Sequence, residues 1–394
     1  MIAETHSLKV DERYLKASGL DPASCIYFDI ETTGLKAETS HLYLIGYAVR
    51  IREGAFQVVQ LFAEETAEEG DILGKFREVC SRYQTVIHFN GDRFDIPYLE
   101  KKYQEHGMDS PFKGLDTIDI YRRIRPYKGV LGLEHLNQKS VERFLGIRRK
   151  DPYDGGQLID VYRFYRDHLS PDPEADLRKL MLHNYEDVLG MFSLTELLSY
   201  SLAMEAGKRE DCPVTARLRT SPLSLDGEKR HDRLELNFSL PVPVPVPVTQ
   251  EEENYEVSLS GSDCQVSAYV REDRLSHFFE DYKNYYYLPE EDRAIHKSVA
   301  QFVDTEHKVR AKADNCYVKK QGRFLPVPAG TRLDEKKYPV FKESRKDKWS
   351  FVELTDRLLE SLCGPCGEGK SEAARKYLEL LLGADSKKRK GSRK

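Results

Sequence analysis

Cys25-Ile26-Tyr27-Phe28-Asp29-Ile30-Glu31-Thr32-Thr33-Gly34 is an apolar run with two acids set into it two positions apart. Its aromatic and β-branched residues, closed by a Thr-Thr-Gly turn, predict a buried strand near residues 25–31. Side chains alternate across a strand, so Asp29 and Glu31 share one face while Ile26, Phe28 and Ile30 fill the other. Two carboxylates in such a setting lose water and repel each other unless a cation neutralises them. A surface strand would also expose two acids, but the apolar flanks argue against it.

Two later stretches supply matching acids. Thr85 to Phe89 reads as a short strand, followed by the polar turn Asn90-Gly91-Asp92-Arg93-Phe94-Asp95 and an amphipathic helix from about Ile96 to His106. Asp95 stands at the mouth of that helix, where free N–H groups favour a carboxylate and where an ordinary N-cap would also sit. Asp92 reads as a turn residue. From Glu174 to Glu205 the pattern is helical, with Leu177, Met181, Tyr185, Val188 and Phe192 along a core face. His183 and Asp187, four apart, share another face. A lone helical His is most often a core or surface residue; one turn from an acid it becomes a catalytic candidate. Asp29, Glu31, Asp95 and Asp187 are the oxygen ligands that two divalent cations, Mg²⁺ or Mn²⁺, require to cut a phosphodiester.

The order Asp-Ile-Glu-Thr-Thr-Gly, Asn-x-x-x-Phe-Asp and a helical His-x-x-x-Asp is similar to the DEDD superfamily of 3′–5′ exonucleases, most of all to the YprB-type ribonuclease H-like domain of bacterial proteins. His88-Phe89-Asn90-Gly91, Asp95-Ile96-Pro97-Tyr98-Leu99, Leu133-Glu134-His135-Leu136 and Ser140 to Ile147 support the likeness, which covers about residues 22–205. The resemblance implies a mixed sheet flanked by helices, two divalent cations held by the four carboxylates, and the 3′ end of a single-stranded nucleic acid as substrate. It implies substrate contacts from Thr32, Gly34, Asn90 and Phe94 and a catalytic role for His183 toward the attacking water. In that superfamily a Tyr stands four before the last Asp in one subclass and a His five before it in the other. His183 occupies the tyrosine spacing, so subclass and general base stay open.

The chain has 394 residues, of which 32% are charged, and a net charge of −5. That length predicts two or three domains, and no apolar run approaches the roughly 18–20 residues needed to span a membrane. Seven scattered cysteines and an N-terminus without an apolar signal region fit a reducing cytoplasm. A negative balance does not advertise nucleic-acid binding, although Arg122, Arg123, Arg125 and Lys128, or Arg143, Arg148, Arg149 and Lys150, offer local basic patches that are equally well solvated faces.

The expected organisation is an α/β chain. Residues 1–21 form an N-terminal extension, 22–205 the ribonuclease H-like domain and 206–232 a linker. Residues 233–345 form a smaller α+β domain, 346–383 a helical hairpin and 384–394 a basic tail. Within the accessory domain the Pro-Val repeat of 241–248 predicts stiff extended chain, 255–259 and 265–270 a hairpin, and 290–312 a helix. The cluster Phe278, Phe279, Tyr282, Tyr285, Tyr286 and Tyr287 suits a core or interface, and with Lys283 it could stack bases. Gly364 to Ser371 fits a phosphate-loop pattern and Cys363-Gly364-Pro365-Cys366 a redox motif, but the expected preceding helix denies both their strand setting. Two rival functions stand beside the exonuclease: a non-catalytic nucleic-acid-binding module on the same fold, or a scaffold recruiting a protein partner through residues 233–345.

Overall fold

The computed structural model describes residues 1–220, 232–331, 333, 337–364 and 369–388. The chain forms two compact units. The first comprises Met1–Ala203, Leu240–Val248 and Ser260–Ser262; the second comprises Met204–Ser239, Thr249–Leu259 and Asp263–Lys394.

The first unit is built on a six-stranded sheet of β1 (Ile2–Lys9), β2 (Cys25–Thr32), β3 (Leu42–Arg52), β4 (Ala55–Phe62), β5 (Thr85–His88) and β6 (Asp116–Asp119), in the order β1-β4-β3-β2-β5-β6. β1 to β4 pair antiparallel, whereas β2–β5 and β5–β6 are parallel. Its helices are α1 (Arg13–Ala17), α2 (Glu69–Cys80), α3 (Asp95–Glu105), α4 (Ile120–Ile124), α5 (Gln138–Phe144), α6 (Gly155–Arg166) and α7 (Pro173–Leu194). α8 (Leu198–Met204) follows at the border of the two units.

β2 is buried on both faces, as a central strand covered by helices must be. Ile26, Phe28 and Ile30 pack with Phe76 of α2 and with Tyr98, Leu99 and Tyr103 of α3. Tyr27, on the opposite face, meets Phe192 of α7 with ring centroids 4.3 Å apart. Asp29 and Glu31 belong to that second face, beneath α7.

Gly46 of β3 is the register partner of Asp29. A Cβ added there would lie 2.1 Å from Asn184 Oδ1 and 2.8 Å from Val188 Cγ2, both on α7. The bare backbone at Gly46 is what lets α7 settle onto the sheet directly beside the acids. α7 buries Leu180, Met181, His183, Asn184, Val188, Met191 and Phe192, whereas Tyr185 is only half-buried and meets His6 of β1 at 4.8 Å. The expected core role of Tyr185 therefore passes largely to its neighbour Asn184.

Several boundaries differ from expectation. Residues 1–21, expected as an N-terminal extension, supply β1, which pairs with β4 over eight residues from Ile2↔Phe62 to Lys9↔Ala55. The Pro-Val run belongs to the first unit, with Val242 and Val244 buried and the Val246 N–H donating to Tyr200 Oη at 3.1 Å. Alternation puts the valines inward while the prolines, which need no ladder partner, take the wetter positions.

The expected linker contains a strand, Thr215–Arg219, while residues 221–231 lie outside the described residues. The second unit is an α+β unit dominated by strands, followed by the helices Asp356–Cys363 and Glu372–Lys388. The expected hairpin is present as Tyr255–Ser260 and Asp263–Tyr269. The expected helix over 290–312 is instead a strand Arg293–His296, a single turn Lys297–Ala300 and a short strand Val309–Arg310. Those strands flank Tyr285–Leu288, so alternation governs there and helical spacing does not. Phe279, Tyr282, Tyr285 and Tyr287 pack around Ala294, Ala311 and Cys316, which makes the aromatic cluster a core. Tyr286 lies instead under the Arg310 guanidinium, 4.6 Å from its ring centroid.

The described cysteines are all free and buried. The helix Asp356–Cys363 does precede the glycine-rich segment, but residues 365–368, half of each declined motif, lie outside the described residues, as do 389–394 of the basic tail. Among the described residues no helix is long and apolar enough to cross a membrane.

Candidate metal centre

The parallel pairing of β2 with β5 and the seating of α7 bring the four expected carboxylates into one electrostatic cluster. Burial pushes Asp29 well above the ordinary carboxylate range, and Asp187, Glu31 and Asp95 push it further. Glu31, only 8% exposed, is raised in the same way by burial and then by Asp187, Asp95 and Asp151. Asp95 is the first residue of α3 and is 7% exposed. Burial takes its carboxyl up to about 7, with Asp119 and Asp187 adding to the rise and its own backbone amide easing it.

Neighbouring groups hold Asp29 and Asp187, and a glycine makes room for Asp95. Asn184 Nδ2 donates to Asp29 Oδ2 at 3.1 Å, and Gln60 Nε2 in turn donates to Asn184 Oδ1 at 3.0 Å. Gly91 leaves the space that admits Asp95, since a Cβ there would lie 2.7 Å from His88 Nδ1 and 2.9 Å from Asp95 Oδ2. Arg149 Nη2 meets Asp187 Oδ1 at 2.5 Å and donates to Glu142 Oε1 at 2.7 Å. Gly190 of α7 provides the clearance for that pairing, because a Cβ there would meet Glu142 Oε1 at 2.1 Å.

His183 is 5% exposed and lies at the centre of this arrangement. Its Nδ1 is 2.5 Å from Asp151 Oδ2. Its Nε2 is 3.6 Å from Glu31 Oε1 and 3.4 Å from Asp187 Oδ2. Ligand atoms of Glu31, His183 and Asp187 all lie within 4.8 Å of one another.

Of the expected substrate contacts, Thr32 and Gly34 stand at the end of β2 beyond Glu31, where Thr32 Oγ1 donates to the Gly34 carbonyl at 2.9 Å. Asn90 adopts a left-handed φ of 65° and its N–H donates to Asp119 Oδ1 at 2.8 Å. Phe94 precedes α3 and packs on Tyr98, ring centroids 5.6 Å apart. The first pair thus adjoins Glu31 in the chain and the second pair adjoins Asp95.

Sequence reading missed Asn184, Asp151, Glu142 and the true place of Arg149. Arg149 is not a solvated phosphate patch: its side chain is 8% exposed and committed to two carboxylates. Asn184, adjacent to His183 in the quoted motif, was within reach of pattern reasoning. Asp151 and Arg149 sit in a loop and signal nothing locally.

Residues 26–199 match the family model RNase_H_2, of the RNase_H superfamily. The chain is 28% identical over 199 residues to the uncharacterized protein YprB of Bacillus subtilis (strain 168), covering 49% of this chain and 46% of that protein. It is 24% identical over 182 residues to the PolC-type DNA polymerase III of Ureaplasma parvum serovar 3, covering 40% of this chain and 12% of the relative. The chain therefore spans less than half the length of each of these two curated relatives. Among solved structures, the family B DNA polymerase of Pyrobaculum calidifontis aligns with a TM-score of 0.33 and 14% identity, covering 66% of this chain and 35% of that one. E. coli exonuclease I in complex with a dT13 oligonucleotide aligns at 0.32 and 9%, covering 60% and 55%. Residues 26–199 form a ribonuclease H-superfamily domain, similar to that of YprB.

Proposed function

We propose that the first unit is a metal-dependent 3′–5′ exonuclease acting on the phosphodiester bonds of single-stranded DNA or RNA. The observation that carries this reading is the cluster itself. Asp29, Glu31 and Asp95 are driven toward protonation by burial and by one another, and Arg149 is the cation that eases Asp29 and Glu31. Four carboxylates beside one imidazole suit hard or borderline divalent ions such as Mg²⁺ or Mn²⁺. When bound, two such ions supply an activated water and stabilise the leaving 3′ oxygen of an in-line displacement.

The chain's own residues supply the placement. Asp29 is aimed by Asn184, Asp187 keeps Oδ2 for the site while Arg149 takes Oδ1, and Asp95 is turned inward over Gly91. Thr32, Gly34, Asn90 and Phe94 would line the approach of the terminal nucleotide. The 3′–5′ direction rests on the likeness to the DEDD enzymes.

One observation favours the second reading, a binding module without catalysis: Arg149 already neutralises Asp187. Single-stranded oligonucleotides carrying either a free or a phosphate-blocked 3′ end separate the two. Mn²⁺-dependent loss of nucleotides from the free end alone supports the exonuclease. Retention of both strands on the protein, uncut at millimolar Mn²⁺, supports the binding module.

A further inference from the structure

His183 is read most simply as the group that deprotonates the attacking water, yet its surroundings describe a different task. The other partners of Asp151 among the described residues are donors: the Tyr153 amide reaches Oδ1 at 3.0 Å, and Lys139 Nζ lies 3.4 Å from Oδ2. Asp151 therefore acts as an acceptor toward His183, which fixes the imidazole proton on Nδ1 and leaves the Nε2 lone pair facing Glu31 and Asp187.

The two gaps on that side, 3.4 and 3.6 Å, are longer than a normal N–H···O bond. They match another spacing. Atoms bound to one ion at ~2.1 Å stand ~3.0 Å apart as octahedral neighbours and ~3.4 Å apart in a tetrahedron. Arg149 occupies only Oδ1 of Asp187, so the oxygen facing His183 is not the one it pairs with.

The backbone that carries Asp151 is fixed to the same helix as His183. The Lys150 amide donates to the Glu186 carboxylate at 3.0 and 3.1 Å, and the Asp151 amide donates to it at 2.9 Å. Glu186 is three residues beyond His183 on α7, so carboxylate and imidazole move as one body.

We propose that His183 Nε2 is a metal ligand, completing with Glu31 and Asp187 a mixed nitrogen–oxygen site, and that Asp151 is the carboxylate that positions it. This carboxylate–histidine–metal relay fixes ring orientation and raises ligand basicity. Its consequence is ion preference. Imidazole favours the later first-row divalent ions, whereas an all-carboxylate site takes Mg²⁺. One of the two sites thus selects an ion of the Co²⁺ or Zn²⁺ class over Mg²⁺. The inference rests on reading the cluster as an ion site, but not on its cutting nucleic acid.

Titration of the full chain with Co²⁺, followed by proton NMR, tests it. A ligating imidazole with its Nδ1–H intact gives one exchangeable, strongly paramagnetically shifted proton at saturation. That signal should be present in the wild type and absent in His183→Gln. In Asp151→Asn it should exchange faster with water, with Co²⁺ affinity about 10–100-fold weaker and Mg²⁺ affinity little changed. Circular dichroism reports whether each variant folds; if His183→Gln does not, the wild-type signal and its faster exchange in Asp151→Asn decide alone. Saturable Co²⁺ binding without the shifted proton, or its survival in a folded His183→Gln, overturns the assignment, as does failure to bind Co²⁺ at all. The shifted proton together with uncut oligonucleotide would sink the exonuclease reading and leave the ligand assignment standing. Digestion without the shifted proton would do the reverse.

Discussion

Asp29 and Asp187 carry the heaviest demand at the scale of single residues, because Asp187 raises both Asp29 and Glu31, and Asp29 is itself raised by the other three acids. Asp29→Asn and Asp187→Ala should each abolish metal-dependent turnover. Folding stability of Asp29→Asn should stay within about 1 kcal/mol of wild type or rise, since a member of a like-charged cluster has been removed, whereas Asp187→Ala also leaves Arg149 one carboxylate short. Urea denaturation in EDTA beside a digestion assay checks both halves, and wild-type turnover in either variant removes that residue from the site. The same charges set the pH dependence of the ion-free protein. Asp95, raised to about 7, holds its proton in the folded state through a range where the unfolded chain, with ordinary carboxyls near about 4, has lost it. The folded state binds more protons between those values, so stability falls as pH rises from about 4 to about 7. Asp151, held below the ordinary range by the Tyr153 amide, His183 and Lys139 against its burial, contributes in the opposite sense nearer pH 4. Melting temperatures in EDTA should therefore decline less steeply over pH 5–7 for Asp95→Asn than for wild type; parallel curves would contradict the assigned shift.

At the scale of elements, β2 was legible because its composition and its alternation agree: every apolar position predicted to be buried is buried. β5 and α3 were legible for the same reason, each having a strong local period. What pattern could not show is closeness. Gly46 reads as an interruption in an apolar strand, and only the three-dimensional register reveals that it makes room for Asn184. Gly46→Ala should destabilise by about 1–3 kcal/mol through overpacking and displace Asn184 from Asp29. A melting curve and digestion rate equal to wild type would show that α7 accommodates the methyl. Arg149 and Asp151 were illegible for a different reason, since a loop has no period and their partners lie on helices distant in sequence. Glu186→Ala tests that loop. It removes the three bonds that hold the Lys150 and Asp151 amides, so Asp151 loses its register with His183. Co²⁺ affinity should fall severalfold, with circular dichroism unchanged. Unchanged affinity would mean that the loop is held by other contacts. The misread region 290–312 shows the converse limit, where charged residues between Ile295 and Val309 imitate one face of a helix although backbone pairing with Tyr285–Leu288 decides the outcome.

For the whole molecule, the chain does not divide at one point in sequence. Residues 240–248 return to the first unit, where Val242 and Val244 are each 4% exposed. Val242→Ser and Val244→Ser should each cost about 2 kcal/mol, from lost apolar burial and a buried hydroxyl. A change near zero by urea denaturation would restore the Pro-Val run to the status of a spacer. The central claim concerns the first unit's chemistry. Its most direct test follows 5′-labelled single-stranded DNA and RNA through digestion by the full chain with Mg²⁺, Mn²⁺ or EDTA, beside Asp29→Asn. The account predicts a ladder shortening one nucleotide at a time from the 3′ end, present with either ion, absent in EDTA and absent in Asp29→Asn. Intact strands with both ions, or a ladder that persists in Asp29→Asn, would contradict it.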